Sequence, residues 1–291
     1  MIYIVTPVFN RKAFTKNYLE ALKEQTNKDF KVIIVDDGST DGTAEMIEAN
    51  FPDVILLKEK GDLWWAEATN VGVRYALEQG AYYVMTLNDD TLPEPDYIEK
   101  MLFWSEKEPD ALFGALAIED STGKIVNGGE FHHWSNGKST YLLETLDQVE
   151  QKGMHEVNVF PGRGLLIPSK VFQNIGFYDS KNFPQTVADN DFAFRAVNNG
   201  YKIYINYDAK IKTFSDESAT VKLVKSRSLK NYFFHLFNKR GGGNVIFFTK
   251  VALKNCPKKY LIQYLIIGLS KRFLSYPMNW LLESLKLKTR G

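Results

Sequence analysis

Two adjacent carboxylates, Asp89 and Asp90, follow an apolar run at residues 81–85 and precede Pro93 and Pro95. The run has the length of a buried strand, and the prolines prevent its continuation because proline lacks the N–H that a sheet ladder needs. Neighbouring carboxylates repel each other, so a fold that places them at a strand end generally supplies a cation. Oxygen ligands without Cys or His suit Mg²⁺ or Mn²⁺, which often hold substrate phosphates. A solvated turn is the alternative, because Asp is common in turns.

The first ninety residues alternate short apolar runs with segments of helical spacing. The runs are residues 2–5, 32–35, 54–57 and 81–87, and the helical segments are residues 13–25, 43–50 and 66–79. This alternation predicts right-handed βαβ units and a mostly parallel, doubly wound α/β sheet. In such sheets ligands bind beyond the carboxyl ends of the strands.

Turn-forming residues and carboxylates follow each of the four runs. These segments are Thr6-Pro7-Val8-Phe9-Asn10, Asp36-Asp37-Gly38-Ser39-Thr40-Asp41-Gly42, Lys60-Gly61-Asp62-Leu63-Trp64-Trp65 and Asn88-Asp89-Asp90. A tight turn or a helix N-cap explains any one of them. Four together on one edge predict a ligand site.

The middle of the chain is less regular. A helix is predicted at 96–107, a strand at 111–118, turns and short antiparallel strands at 121–143, and an acidic loop at 144–151. Residues 201–207 and 210–214 resemble a final pair of strands. His132 and His133 are adjacent and would point to opposite faces of a strand, so we expect exposed loop residues rather than metal ligands.

Two later segments carry candidate site residues. Arg163 lies between two glycines, which permit close approach of a ligand, and it suits phosphate or a sugar hydroxyl; a strand bulge with a solvated arginine is the alternative. A helix opens near Asp189 and stops near Gly200. Asp189 could be only its N-cap, and Asp191 and Arg195 have i,i+4 spacing for a salt bridge.

The chain's net charge of +1 conceals a strong asymmetry. Residues 222–291 contain fifteen Lys and Arg against one acidic residue, Glu283, so the preceding part is acidic. Lys250, Lys254 and Lys258 recur every four residues, on one face of a helix. These features predict a basic amphipathic helical region at an anionic membrane surface, with packing against the body as the alternative. No recognised motif favours nucleic acid, which we do not expect as a partner.

Other features favour a cytoplasmic protein, peripheral at the inner face of the cell membrane. The apolar segment 260–269 has ten residues, whereas a spanning helix needs about 20. The single cysteine, Cys256, excludes an internal disulfide and fits a reducing compartment. The apolar N-terminal run lacks a basic leader and is too short for a signal peptide. Hydrophobic content of 44% and charged content of 24% are ordinary for a soluble globular protein.

In combination and order, the motifs resemble those of family 2 glycosyltransferases, inverting enzymes with the GT-A fold. The resemblance covers roughly residues 2–214 and also includes Asn70-Val71-Gly72 and Asp189-Asn190-Asp191-Phe192. The Trp64-Trp65 pair resembles a pair found in rhamnosyltransferases of bacterial polysaccharide synthesis. The resemblance implies a divalent metal, a UDP- or dTDP-sugar donor, and a glycan or lipid-linked acceptor for cell-surface polysaccharide.

The resemblance also implies roles for individual residues. Those that would bind the nucleotide sugar are Thr6, Pro7, Val8, Asn10, Asp37, Gly61, Trp65, Asn70 and Asp89. Asp90 would be the principal metal ligand with Asp89 near it, Asp189 the general base, and Gly162, Arg163 and Asp191 the acceptor side.

The sequence departs from the family at two positions. Ala188 stands where many relatives have Glu before the base. The segment Lys212-Thr213-Phe214-Ser215 lacks the metal-binding His that many relatives have there. Metal coordination would then depend on Asp90, diphosphate oxygens and water.

We expect a catalytic domain at 1–220, with a nucleotide-sugar half at about 1–92 and an acceptor half at about 93–220, followed by the helical region 221–291. A nucleotidyltransferase of similar fold is one alternative, but its glycine-rich loop after the first strand is missing, since residues 6–11 contain no glycine. A non-catalytic nucleotide-sugar-binding module is the other, and the retained carboxylates at Asp37, Asp89, Asp90 and Asp189 argue against it.

Overall fold

The computed structural model describes residues 1–147, 150–160, 162–214 and 228–288. The strands are β1 (Ile2–Val8), β2 (Phe30–Asp36), β3 (Ile55–Lys58), β4 (Tyr83–Thr86), β5 (Thr91–Pro93), β6 (Leu112–Glu119), β7 (Ile125–Asn127), β8 (Glu130–His133), β9 (Lys138–Tyr141), β10 (Met154–Val157), β11 (Leu165–Pro168) and β12 (Ile203–Thr213). The helices are α1 (Lys12–Lys23), α2 (Thr43–Asn50), α3 (Trp64–Glu78), α4 (Tyr97–Ser105), α5 (Ser169–Ile175), α6 (Ala188–Asn198), α7 (Leu229–Phe237), α8 (Val245–Asn255) and α9 (Lys258–Lys288).

The central sheet has the strand order β10-β12-β6-β11-β4-β1-β2-β3. Strands β1 to β4 pair in parallel within this sheet, so their carboxyl ends lie on one edge. Antiparallel pairing is concentrated in the second half, where β11 runs antiparallel to both β4 and β6. The predicted α/β fold class is confirmed, and the loops after β1, β2, β3 and β4 share the expected edge.

Helices cover both faces of the sheet. Tyr18 of α1 and Tyr97 of α4 belong to the apolar cluster on one face. Val73 of α3 and Phe192 of α6 belong to the cluster on the other face, together with Phe247 of α8. The C-terminal region therefore contributes to the core of the body. The predicted boundary near residue 220 falls at 215–227, outside the described residues, and stays a prediction.

The predicted pair of strands at 201–207 and 210–214 is wrong, because this segment is the single strand β12. Its register against β6 shifts between Asn206 and Lys210. The Asn206 side chain accepts a hydrogen bond from the Asp208 N–H at 3.0 Å, and the Asp208 carboxylate accepts one from the Gly153 N–H at 3.1 Å. Asn206 and Asp208 therefore stabilise a bulge within one strand.

The prediction that His132 and His133 are exposed loop residues is also wrong. Both lie in β8 and are half-buried. The ring of His132 contacts those of Trp134, Phe194 and Tyr264, with centroids 5.0–5.6 Å apart. Burial lowers the pKa of His132 to about 4. Phe194 and Tyr264 come from α6 and α9, far away in sequence, so local pattern could not predict this packing.

Gly72, in the Asn70-Val71-Gly72 segment, allows α3 to approach the sheet. A Cβ at this position would lie 2.4 Å from Val5 Cγ1 and 3.1 Å from Val35 Cγ2. We therefore expect Gly72→Ala to lower the free energy of unfolding by about 1–3 kcal/mol, since overpacking outweighs alanine's helix propensity. Urea denaturation measures this change. Glu78→Ala, at an exposed position of the same helix, should stay within about 0.5 kcal/mol of wild type; a wild-type-like Gly72→Ala would refute the close-contact account.

Candidate active site

The loops after β1, β2 and β3 are joined by short polar and backbone contacts. The Asn10 N–H donates to Ser39 Oγ at 2.8 Å, and the Asn10 side chain accepts from the Thr40 N–H at 2.7 Å. A Cβ on Gly38 would lie only 2.9 Å from the Gly61 nitrogen. The three loops therefore form one continuous surface at the carboxyl edge of the sheet, as the sequence predicts.

Asp37 fixes the start of α3. Its carboxylate accepts hydrogen bonds from the Leu63 N–H at 3.0 Å and the Trp64 N–H at 3.2 Å, which places a negative charge at a helix N-terminus. Asp62 and Trp64 have positive φ values of 73° and 63°, a strained backbone that such contacts maintain. The orientation of Trp65, the next residue, follows from this turn.

Trp65 connects the carboxylate loop to the second half of the site. Its Nε1–H donates to Asn88 Oδ1 at 2.9 Å, next to the carboxylate pair. A Cβ on Gly162 would lie 2.6 Å from the Trp65 ring, so this position excludes any other residue. The Trp65 ring also meets Tyr178 edge-on, with centroids 5.2 Å apart. Trp65 thus lies between Asn88 and the Gly162 loop.

An arginine supplies the cation beside the carboxylate pair. Arg11 Nε lies 2.8 Å from Asp89 Oδ1, and Arg11 Nη2 lies 3.6 Å from Asp90 Oδ2. Thr15 Oγ1 donates to Asp89 Oδ2 at 3.0 Å, and the Arg11 guanidinium stacks over Phe14 at 4.6 Å. Sequence reasoning gave Arg11 no role. The position of Arg11 could have indicated a role, because it follows Asn10 on the edge where a ligand is expected.

The two carboxylates differ in how far the protein satisfies them. Asp89 is buried, and burial raises its pKa to about 6 although Arg11 opposes the shift. Asp90 is about one-third exposed, and its buried Oδ1 has no hydrogen-bond partner among the described residues. Within the same described part of the chain, no group of three or more His, Cys, Asp or Glu could hold a metal. A metal here would need ligands from the substrate or water, and Asp90 Oδ1 is the oxygen left free for it.

Asp189 contacts the Gly162 loop, which packs against Trp65. Its Oδ2 accepts from the Gly162 N–H and its Oδ1 from the Asn190 N–H, both at 2.9 Å. It is not the N-cap, since α6 begins at Ala188 and Asp189 lies in the first turn. Burial raises the pKa of Asp189, while the two N–H groups oppose the shift.

The two residues after Gly162 contact the ends of two different strands. The Gly164 N–H donates to the Thr86 carbonyl at the end of β4 at 2.8 Å. Arg163 Nη1 donates to Thr213 Oγ1 at the end of β12 at 3.1 Å. Arg163 is half-buried rather than fully solvated, and its positive charge favours ionised Asp189.

Three further predicted site residues, Thr6, Asn70 and Asp191, are buried with their side chains bonded inside the protein. Thr6 Oγ1 pairs with the Tyr18 hydroxyl at 2.7 Å. Asn70 exchanges hydrogen bonds with the backbone of Tyr178 at 2.9 and 3.0 Å. Asp191 is fully buried between α6 and α8. Their predicted ligand contacts are therefore not supported by side-chain placement, although Asn70 helps to hold Tyr178 against Trp65.

A separate cavity of about 400 Å³ lies between the start of α3 and the C-terminal helices. Trp64, Ser180, Pro184 and Phe247 are part of its wall. Asp90 and Asp189 are absent from that wall, so the cavity is distinct from the carboxylate site.

Comparisons with known proteins show the family of this chain. Residues 3–160 match the family described as Glycosyl transferase family 2, and residues 83–275 match Glycosyl transferase family group 2. A dTDP-rhamnosyl transferase, RfbF of Shigella flexneri, is 25% identical over 222 residues, which cover 76% of this chain and 71% of the relative. An uncharacterized glycosyltransferase of Methanocaldococcus jannaschii is 25% identical over 285 residues, covering 94% and 91%.

Solved structures of S. aureus TarS have the same fold. One TarS chain superposes with a TM-score of 0.61 at 13% identity, covering 96% of this chain and 44% of TarS. TarS 1-349 in complex with UDP-GlcNAc superposes with a TM-score of 0.57 at 14% identity, covering 94% and 73%. The fold is therefore the GT-A fold that the sequence predicts.

The raised pKa of Asp89 makes stability depend on pH. Because its folded pKa of about 6 exceeds the ordinary 3.8, the wild type loses stability as pH rises from about 4 to 6. Asp89→Asn has no such loss. We expect the free energy of unfolding of Asp89→Asn minus that of the wild type to increase by about 2–3 kcal/mol between about pH 4 and pH 7. Urea denaturation in EDTA measures this difference.

Groups distant from Asp89 titrate equally in the two proteins, so the difference reports Asp89 and the groups beside it. A difference that falls as pH rises would mean that the pairing with Arg11 outweighs burial. It would contradict the account of this site.

Proposed function

The chain belongs to glycosyl transferase family 2, and from this premise we propose that it inverts the sugar configuration in transfer from a nucleotide-diphosphate sugar to a hydroxyl of a glycan or lipid-linked acceptor. The observation that carries the proposal is the position of Asp90 and Asp189. Trp65 links them indirectly: its Nε1–H donates to Asn88, two residues before Asp90, and its ring packs on Gly162, whose N–H binds Asp189. This arrangement supplies a leaving-group side and an acceptor side. The product would belong to cell-surface polysaccharide.

The donor side consists of the joined loops after β1, β2 and β3. We assign the nucleotide to Pro7, Val8, Asn10, Asp37 and Gly61, with Trp65 and Asp89 toward the sugar and diphosphate. A dTDP-rhamnosyl transferase among the relatives and UDP-GlcNAc bound to TarS support a dTDP- or UDP-sugar. The buried Arg11 Nη2, which has no hydrogen-bond partner in the described part of the chain, is a donor for a diphosphate oxygen.

Mg²⁺ or Mn²⁺ is the proposed cofactor. Asp90 Oδ1 fits it, because that oxygen is buried and free of hydrogen bonds within the described residues. Asp89 already binds Arg11 and Thr15, so we assign it the role of holding these two side chains rather than that of a metal ligand. When bound, the metal would offset the negative charge that the leaving nucleoside diphosphate gains.

Asp189 is the proposed general base. Inversion needs one in-line attack, so one carboxylate must take the proton of the acceptor hydroxyl on the face opposite the leaving group. Both oxygens of Asp189 are held by backbone N–H groups, which fixes the carboxylate before substrate arrives. The raised pKa of Asp189 makes it a stronger base than an exposed carboxylate. Arg163 and Gly162 would face the acceptor.

The C-terminal helix α9 has an exposed apolar face suited to a membrane surface. Ile262, Ile266 and Phe273 are 75%, 62% and 41% exposed and lie within about 40° of one another around the helix. Lys258 and Lys259 are exposed at its start. No helix in the described ranges is long and apolar enough to span a bilayer. We propose that this face rests on anionic lipid.

Transfer should depend on both carboxylates. Asp189→Asn should lower turnover by about 10²–10⁴-fold, and Asp90→Ala should do the same while weakening the effect of Mn²⁺. The donor is identified first, by the thermal shifts that UDP-, dTDP- and GDP-sugars produce with and without Mn²⁺. A nucleotide sugar at a hundredfold excess over its Kd should stabilise the folded protein by about 2.7 kcal/mol.

Release of nucleoside diphosphate then measures turnover, and unchanged Tm values for the free variants serve as the folding control. Wild-type-like turnover in Asp189→Asn would refute the assignment of the base. If no nucleotide sugar shifts the wild-type Tm or is hydrolysed, the transferase proposal fails.

Vesicle sedimentation tests the membrane surface. Vesicles with phosphatidylglycerol should sediment the wild type but little of the Ile262→Gln/Ile266→Gln double variant. Vesicles of phosphatidylcholine alone should sediment little of either protein. Val126→Gln, at an exposed apolar position on β7, is the matched control. Truncation near residue 221 is unsuitable, because it removes Phe247 from the core. Equal binding by the double variant would exclude this face.

A further inference from the structure

The carboxylate of Asp191 receives two side chains from the C-terminal region. Asp191 is fully buried, and Arg195 Nε of its own helix lies 2.9 Å from its Oδ2. Lys254 Nζ of α8 lies 2.9 Å from the same oxygen, and Asn255 Nδ2 donates to Oδ1 at 2.9 Å. A fully buried carboxylate needs such partners, since an unpaired charge there is costly.

The C-terminal region also contacts both ends of α6. Thr186 Oγ1, just before the helix, donates to the Lys239 carbonyl at 3.2 Å. Asn198 Nδ2, at the last residue of the helix, donates to the Asn255 carbonyl at 3.1 Å. Contacts from outside the helix therefore fix its axis and its rotation.

The turn into α6 is strained and needs support. Val187 has a φ of 61°, a left-handed value that β-branched residues rarely adopt. Such a residue costs on the order of 1–3 kcal/mol and persists only where its surroundings hold it. The contacts of Thr186 and Asp191 lie on either side of Val187 and provide that support.

We propose that Lys254 and Asn255 are positioning residues for Asp189. They hold Asp191, which lies two residues after Asp189 and so about 200° around the same helical turn. Because both residues belong to α6, holding the Asp191 carboxylate against α8 also fixes the direction in which Asp189 points toward the Gly162 loop. This inference rests on the proposed role of Asp189 as the base.

The size of the effect follows from the geometry of a helix. A rotation of α6 by about 20° would move a side-chain atom at a radius of about 6 Å by about 2 Å. Displacements of about 1 Å at a reacting centre can lower rates about 10²-fold. Loss of the contacts to Asp191 should thus lower the rate of the chemical step, with little effect on donor binding.

The test compares Lys254→Met with wild type in the full chain. The rate measured is nucleoside diphosphate release from dTDP-rhamnose or UDP-GlcNAc, whichever the wild type hydrolyses. We expect kcat to fall about 10- to 100-fold and the donor KM to change by less than about twofold. Lys254→Arg, which retains the charge, should restore most of kcat. Hydrogen exchange should become faster in the first turn of α6 in Lys254→Met alone.

Lys250→Met is the matched control, because it lies one turn earlier on α8 and its Nζ contacts Asn182 at 3.0 Å rather than α6. Its kcat and α6 exchange should match the wild type. Wild-type kcat in folded Lys254→Met, an equal loss in Lys250→Met, or a raised KM at constant kcat would overturn the inference. Should Lys254→Met fail to fold, Lys254→Gln takes its place.

A wild type that hydrolyses no nucleotide sugar would refute the proposed function. Hydrogen exchange would then still decide whether Lys254 holds α6, since it needs no substrate.

Discussion

Four carboxylates are gathered around one edge of a parallel sheet, and the site depends on how their charges are compensated. Asp37 caps the start of α3, Asp89 pairs with Arg11, and Asp189 accepts two backbone N–H groups. Asp90 alone among these four keeps a buried oxygen without a hydrogen bond in the described structure. The other three carboxylates are held by hydrogen bonds, whereas Asp90 has only the Arg11 Nη2 contact at 3.6 Å to its second oxygen. This difference, rather than the number of acidic residues, is the basis of the proposed metal-binding role of Asp90.

The compensating groups come from distant parts of the chain. Arg11 precedes α1 and Gly162 lies before β11, while Lys254, which pairs with the neighbouring carboxylate of Asp191, lies in α8. Gly162 meets Trp65 and Asp189 within the same small volume, which only a residue without a side chain allows. The body and the C-terminal helices therefore form one unit around the site, since α8 contributes to both the core and the contacts of α6.

Sequence reasoning predicted the α/β fold, the shared strand edge and the salt bridge between Asp191 and Arg195. These depend on local periodicity and spacing, which the sequence displays directly. It did not predict the burial of His132, the continuity of β12 or the role of Arg11, because these depend on partners far away in the chain. The basic face containing Lys254 indicated a lipid surface, yet that lysine binds Asp179 and Asp191 of the body. Charge alone could not distinguish an intramolecular partner from an external one.

The central claim is that one carboxylate, Asp189, drives a single in-line displacement at the sugar. Proton NMR of the sugar, recorded during its enzymatic release from the donor or its transfer, tests this claim most directly. If Asp189 drives a single displacement, the anomeric configuration of the first product is inverted relative to the nucleotide sugar. Net retention would contradict it, because retention by two displacements needs a nucleophile that forms a covalent intermediate, a role the account gives to no residue.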